Sequence, residues 1–319
     1  MDITLRQIKY FIAVAETNKI STAAKLVSIS PSAITEAIKE LESITGVRLI
    51  TRHRRGVKLT FDGYRFLQHC RNITASVSNA AYALRNTHTD LAGNLRLAIT
   101  FTVSGYFIAA PLARFRRTFP HIRVIIEEYK RDEIEDQLLD GKQDLAVLLT
   151  SNVVNEELTL KTLVRSKRRL WTSTNHHLAD INDISLEDIS RFPYIQLMVD
   201  EAATTHMSYW RKHNSRPQII FRTESVEAVR SMVAIGPAVA ILSDLVYRPW
   251  SLEGDRIEAH DVTNEIPSMD VGLAWSKHIE INPCAQAFID FCLMEYTSGR
   301  PRYGSSEIQT PMDNLKYTL

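Results

Sequence analysis

The chain has 319 residues, enough for about two domains, and its 45% hydrophobic and 24% charged residues exclude a disordered or fibrous protein. The apolar run 232–242 is broken by Gly236-Pro237 and is too short to span a bilayer; no basic, uninterrupted apolar leader opens the chain, and Cys70, Cys284 and Cys292 are too scattered for a disulfide framework, so a reducing cytoplasm is expected. The net charge of +1 hides a split: residues 1–89 carry +7 and the rest −6, a basic head suited to a polyanion on an acidic body.

In chain order, Leu5, Ile8, Phe11, Ile12 and Ala15 recur at helical spacing and predict a first helix with one buried face. Ser21 can cap a second helix over 21–27, where Ala23 and Ala24 allow another helix to approach closely. Ser30 as N-cap, Pro31 at N1 and Gly46 at the stop bracket a third. Its stripe of Ile34, Ala37, Ile38, Leu41 and Thr45 must pack on the first two helices, which leaves Ser32, Thr35, Glu36, Lys39 and Ser43 opposite. A short helix, a tight turn and a helix with small polar groups near its start is the geometry that enters a major groove. Taken alone, a three-helix bundle with a solvated face fits as well. The next segment shifts the balance. Residues 47–50 and 57–60 read as short strands around Arg52, His53, Arg54, Arg55 and Gly56, a basic hairpin or wing whose arginines reach phosphates or the minor groove. The candidate DNA contacts are therefore Ser21, Thr22, Ser32, Thr35, Glu36, Lys39, Arg52, Arg54 and Arg55.

From 61 to about 89 the pattern stays helical. Leu67, Cys70, Thr74, Val77, Ala81 and Leu84 form a seam at alternating three- and four-residue steps, broadened by Phe66, Ile73 and Ala80. The rod would be roughly 40 Å long and reads as a dimerisation element, with Cys70 a small apolar filler. A long helix packed on its own domain is the other reading.

Residues 91–94 look like a hinge. The apolar runs 94–100 and 144–150 predict buried parallel strands; between them lie a helix over 106–118, a strand from His121 and an acidic helix from Arg131. A second unit is predicted from about Val164, with strands over 163–173, 194–199, 238–244 and 268–275 and helices from Ser225 and Cys284. The last twenty residues read as a polar tail.

The segments LRQIKYFIAVAE, STAAKLVSISPSAITEAIKELE and TGVRLITRHRRGVKLTFDG occur in an order and spacing that resemble the LysR-type transcriptional regulators. Segments LARFRRTFPHIRVII, LLDGKQDLAVLL and SVEAVRSMVAIG extend the resemblance over roughly residues 3–297. Ser30-Pro31-Ser32-Ala33 departs from the family's frequent Ser-Gln-Pro-Ala, and Glu36 stands where many members are basic or polar; these departures bear on the operator sequence, not on the mode of binding the resemblance implies. The resemblance implies a winged helix-turn-helix domain over 1–60, a dimerisation linker helix over 61–90, a two-lobed, periplasmic-binding-protein-like α/β effector domain over 91–300, and a flexible tail over 301–319. Lobe I would hold about 91–162 and 266–300, lobe II about 163–265. It implies a homodimer on an imperfect inverted-repeat duplex, further assembly to a homotetramer, a small-molecule effector, and RNA polymerase as partner if the chain activates. Thr102 and Ser104 at the first strand's end, Thr150 at the third's, and Gln196 and Thr223 of the second lobe are the candidate effector contacts. Arg131 falls near the family's effector pocket, where it would favour a carboxylate, or else pairs with Glu133 or Glu135.

No GxGxxG, GxSxG, HExxH or CxxC occurs, His176-His177 are adjacent and so diverge, and Cys284 and Cys292 have no nearby histidine cluster. No enzyme activity, cofactor or metal is expected. The alternative is an α/β binding protein or enzyme whose basic head serves only assembly.

Overall fold

The computed structural model describes residues 3–53, 56–83, 91–200 and 202–297. It divides into an amino-terminal unit built on residues 1–90 and a larger unit built on residues 91–115 and 121–293.

The amino-terminal unit runs α1 (Leu5–Thr17), α2 (Ile20–Leu26), α3 (Pro31–Thr45), the antiparallel pair β1 (Ile50–His53) and β2 (Gly56–Leu59), then α4 (Phe61–Ala83). α1 opens on a capping box in which the Thr4 hydroxyl accepts from the Gln7 amide and Gln7 Oε1 accepts from the Thr4 amide. α3 carries the expected caps: Ser30 Oγ accepts from the Ala33 amide, Pro31 sits at the first position and Gly46 ends the helix at φ +71°. Phe11, Val14, Ala23, Ile34, Ile38 and Leu41 fill the core between the three helices.

Three expectations need correction here. Ser21 does not cap α2; it lies in the first turn, because Asn18 turns the chain at φ +53° and puts Lys19 in the cap position. The wing strands pair at 50–53 and 56–59, later in the first strand than expected. Glu42 Oε1 accepts from the amides of Leu49 and Ile50 at 2.8 and 3.1 Å, which holds the approach to α3 before pairing begins. Leu67 and Cys70 are not on a free seam. Both are buried in the unit's own core, where Phe66 meets Phe11 edge-on at 5.2 Å. Burial pushes the Cys70 thiol up to about 12, as expected of an inert filler.

Further along α4, Thr74 Oγ1 donates to the Cys70 and Arg71 carbonyls, while Ile73 and Val77 are exposed. The side chain of Ala81, and Leu84 altogether, lie outside the described residues, as do Arg54 and Arg55. Gly63 permits the start of α4 to cross the wing. A Cβ there would stand 1.9 Å from the Leu49 carbonyl oxygen.

The larger unit continues with β3 (Gly93–Ile99), α5 (Phe101–Tyr106), α6 (Ala109–Thr118), β4 (Ile122–Glu128), α7 (Arg131–Leu139), β5 (Leu145–Leu149), β6 (Leu158–Ser166) and β7 (Arg168–Ser173). It then runs α8 (Leu186–Ser190), β8 (Pro193–Leu197), α9 (Ala202–Lys212), β9 (Gln218–Thr223), α10 (Val226–Ile235), β10 (Ala240–Ser243), β11 (Ile257–His260), β12 (Met269–Ser276) and α11 (Pro283–Thr297). One lobe is a five-stranded sheet in the order β4-β3-β5-β12-β6, with β4, β3 and β5 parallel and β12 antiparallel to its neighbours. The other holds the three-stranded sheet β10-β7-β11 and the parallel pair β8-β9.

One predicted element divides and another starts later than expected. The single strand over 163–173 is two, in different lobes: β6 pairs with β12 and β7 with β10 and β11, and the chain changes lobe at Lys167. The return passes between β11 and β12, and the two crossings are tied by Lys167–Asp261 at 2.9 Å and Arg165–Asp270 at 3.5 Å. The helix expected over 106–118 is α6, which starts only at Ala109, and the unexpected short helix α5 precedes it across a break at Phe107-Ile108. Pro111 is tolerated only in a first turn, so a new helix must start shortly before it.

Candidate nucleic-acid interface and ligand cleft

On the amino-terminal unit, the inward stripe of α3 fixes its outward face. Ser32, Glu36 and Lys39 are exposed there, and Ser21 and Thr22 of α2 and Arg52 of the wing are exposed as well. Thr35 is half-buried and donates to the Pro31 carbonyl at 2.9 Å, while the hydroxyls of Ser30 and Ser32 meet at 2.9 Å. At the end of α1, the carboxylate of Glu16 is buried and reached by Arg71 of α4 at 3.4 Å. Burial raises Glu16 to about 7 even against the pull of Arg71.

In the larger unit, α5 of the first lobe is held at both ends by carboxylates of the second. The Thr102 amide donates to Asp200 Oδ2 at 2.6 Å, and the Tyr106 hydroxyl donates to Glu227 Oε1 at 3.0 Å. Glu227 in turn takes Arg230 at 2.8 Å, and Arg230, fully buried, also donates to the carbonyls of Val246 and Arg248 and stacks on Trp171. Burial works to raise Glu227, yet the Arg230 bonds win and hold its carboxyl below the ordinary range.

Beside this clasp lies a cavity, partly open to solvent, whose polar lining includes Thr102, Arg168, Asp200, His206, Tyr209 and Ser243, with Leu149, Ile241 and Met269 among its apolar walls. Arg168 is half-buried, and its Nη1 donates to the carbonyls of Pro267 and Ser268, the latter at 2.7 Å. Burial lowers its pKa, opposed by the nearby rings of Tyr209 and Tyr194 and by Asp270. The ring nitrogens of His206 are buried with no hydrogen-bond partner among the described residues, while the buried Tyr209 hydroxyl lies beside that of Tyr194. Burial, with a further push from the Arg222 charge, takes His206 down to about 4, so its ring is neutral at pH 7.

Of the predicted effector residues, only Thr102 lines this cavity, and it contributes its amide rather than its hydroxyl to Asp200. Ser104 is half-buried one turn along α5. Arg131 is engaged by Glu135 one helical turn away. Thr150 is buried against β6 and β12, its hydroxyl 3.3 Å from both Thr162 Oγ1 and the Asp270 carbonyl. Gln196 accepts from Arg222 Nε at 3.2 Å, and Thr223 Oγ1 accepts from the Ser225 amide. Arg168, Asp200, His206 and Tyr209 were not legible as cleft residues. Arg168 stands in the cationic run 165–169, which by itself reads as a solvated surface.

A recognition helix with a wing, followed by a two-lobed α/β body with a cleft, defines a ligand-responsive DNA-binding regulator. Residues 5–64 match the model of the bacterial regulatory helix-turn-helix protein, lysR family, and residues 88–296 match that of the LysR substrate binding domain. The chain belongs to the LysR family of transcriptional regulators. It is 28% identical over 296 residues to the uncharacterized HTH-type transcriptional regulator YnfL of Escherichia coli K12, covering 90% of this chain and 97% of that one. Among solved structures it is similar to HinK, a LysR family transcriptional regulator from Pseudomonas aeruginosa, at 24% identity and a TM-score of 0.60, covering 91% of this chain and 97% of HinK. Full-length CbnR in complex with its target DNA shares the fold at 21% identity and a TM-score of 0.53, covering 92% and 100%. Among the described residues no helix is long and apolar enough to cross a membrane.

Proposed function

We propose that this regulator reads an imperfect inverted-repeat operator as a cytoplasmic homodimer that pairs into a tetramer, and that a small carboxylate effector in the inter-lobe cleft sets its action at the promoter. The observation that carries the DNA reading is the exposed polar row Ser32, Glu36 and Lys39 on a helix whose opposite face is locked into a core, in a unit whose wing exposes Arg52. Thr35, Ser21, Thr22 and the wing-tip residues Arg54 and Arg55 complete the proposed contacts. Hydroxyls and Lys39 position against backbone and base edges, and Glu36 accepts from cytosine N4. The wing arginines neutralise phosphates.

Dimerisation falls to the part of α4 beyond the core, where Ile73 and Val77 are exposed and Ala81 and Leu84 continue the spacing, rather than to Leu67 and Cys70. A two-fold axis through such a rod sets two α3 helices on two half-sites, which is why the operator is an inverted repeat. Effector binding shifts the lobe equilibrium and through it the spacing of the heads. If the outcome is activation, RNA polymerase is the downstream partner.

The test is fluorescence anisotropy on fragments upstream of the neighbouring genes across a salt series. Affinity should fall steeply with salt, and Arg54→Ala with Arg55→Ala should weaken binding and flatten the slope. Salt-insensitive binding, or no retention of any promoter fragment in dilute buffer, defeats the reading.

A further inference from the structure

The cleft cavity carries two opposite formal charges, and neither has an ion partner among the described residues. Arg168 gives hydrogen bonds only to the neutral carbonyls of Pro267 and Ser268, and nearby Asp270 makes its ion pair with Arg165 instead. Asp200 accepts from the Thr102 amide at 2.6 Å, a neutral donor. The backbone of Asp200 sits at φ +46°, a left-handed conformation unusual for a residue other than glycine. Leu149, Ile241 and Met269 supply an apolar wall; the neutral His206 ring lines the same cavity unpartnered, and the Tyr209 hydroxyl lines it beside Tyr194.

A half-buried charge without an ion partner gains from meeting an opposite one, so the favoured ligand is the one that answers both charges together. A simple anion neutralises Arg168 but is repelled by Asp200. A simple cation has the converse problem, and an uncharged molecule answers neither. We infer that the cavity takes a small amphoteric ligand, an amino acid with an apolar side chain. Its carboxylate lies on the Arg168 guanidinium, its ammonium on Asp200, and its side chain against the apolar wall. His206 and Tyr209 supply the remaining hydrogen bonds. The inference rests on the cleft being the effector seat and names the chemistry of that seat: the carboxylate proposed above is one half of the ligand, and an amine is the other.

The full chain is to be examined by thermal shift and calorimetry with L-leucine, L-methionine and L-phenylalanine. Each is compared with its N-acetyl derivative, which lacks the ammonium, and its carboxamide, which lacks the carboxylate. The amine-free acids 4-methylpentanoate and 3-phenylpropanoate complete the set. At least one free amino acid should bind saturably and raise Tm. Acetylation and amidation should each weaken binding roughly tenfold or more. D200N keeps a residue type that tolerates the left-handed backbone, and it should remove the preference for phenylalanine over 3-phenylpropanoate. R168M should abolish binding of both, and R168K should retain part of it.

The derivatives act on the unaltered protein, so a misfolded R168M does not blunt the test. An amine-free acid that binds the unaltered chain as tightly as its amino acid, or silence from every probe, overturns the amphoteric ligand while leaving operator binding untouched. Binding of a probe that R168M, D200N and H206A all leave unchanged puts the ligand outside the cavity and defeats the cleft reading as well.

Discussion

The two proposed recognition surfaces of this regulator treat polar groups in opposite ways. On the amino-terminal unit they stand exposed on successive turns of one helix, at Ser32, Glu36 and Lys39, over a core that contributes nothing but rigidity. In the cleft they are drawn from positions as far apart as Thr102 and Ser243, and the ring nitrogens of His206 are buried without a partner among the described residues. The contrast follows from the ligands. A polyanion is met by many weak, solvated contacts whose sum depends on counterion release. A small molecule offers few atoms, so each contact must be made in a desolvated site where a missing partner is costly.

The comparison can be broken most forcefully through the core. Phe11→Ala removes a fully buried ring and its edge-on contact with Phe66, and should destabilise the amino-terminal unit by about 3–5 kcal/mol. Urea denaturation and loss of operator binding would register it; a loss under about 1 kcal/mol would show that the core does not fix the α3 face.

Next comes Glu16, whose folded-state pKa lies above its ordinary value of 4.5, at about 7. The folded state therefore binds a proton more tightly than the unfolded chain, and stability falls as pH rises between these values, by at most about 3 kcal/mol. Glu16→Gln should abolish that slope, as followed by chemical denaturation at pH 4.5, 6 and 7.5. A slope that persists in the variant would assign it to another group.

A smaller effect is expected at the clasp of the cleft. Tyr106→Phe removes the hydroxyl that donates to Glu227 and should cost about 1–2 kcal/mol, with a change in effector affinity but none in operator affinity in the absence of effector. Equal effects on both affinities would deny that the two surfaces are chemically separate. Smallest of all, Lys39→Ala should lower the slope of log affinity against log salt by about 0.9, the contribution of one phosphate, and leave ligand binding alone. An unchanged slope would remove Lys39 from the phosphate contacts.

How much was legible differs along the same line. The caps and faces of α3 depend on residues three and four positions apart, so Ser30, Pro31 and Gly46 could be placed without tertiary knowledge. The pairing of Arg131 with Glu135 was visible as one of two alternatives for the same reason. The break at Lys167 was not, because strands on either side share an apolar alternation and only their partners, β12 on one side and β10 and β11 on the other, distinguish them. The inward turn of Leu67 and Cys70 escaped as well: heptad spacing marks an apolar face but does not say whether the neighbour is another copy or the same domain.

The amino-acid sequence by itself determined the order of elements, the outward face of α3, the charge division between head and body, and the family, since each is written in local spacing or in contiguous motifs. Only the tertiary structure decided which groups meet in the cleft. Arg168 and Asp200 face one cavity because two crossings between lobes and the turn after β8 bring them there. Periodicity carries no information about such encounters, which depend on sheet pairing across a hundred residues of chain.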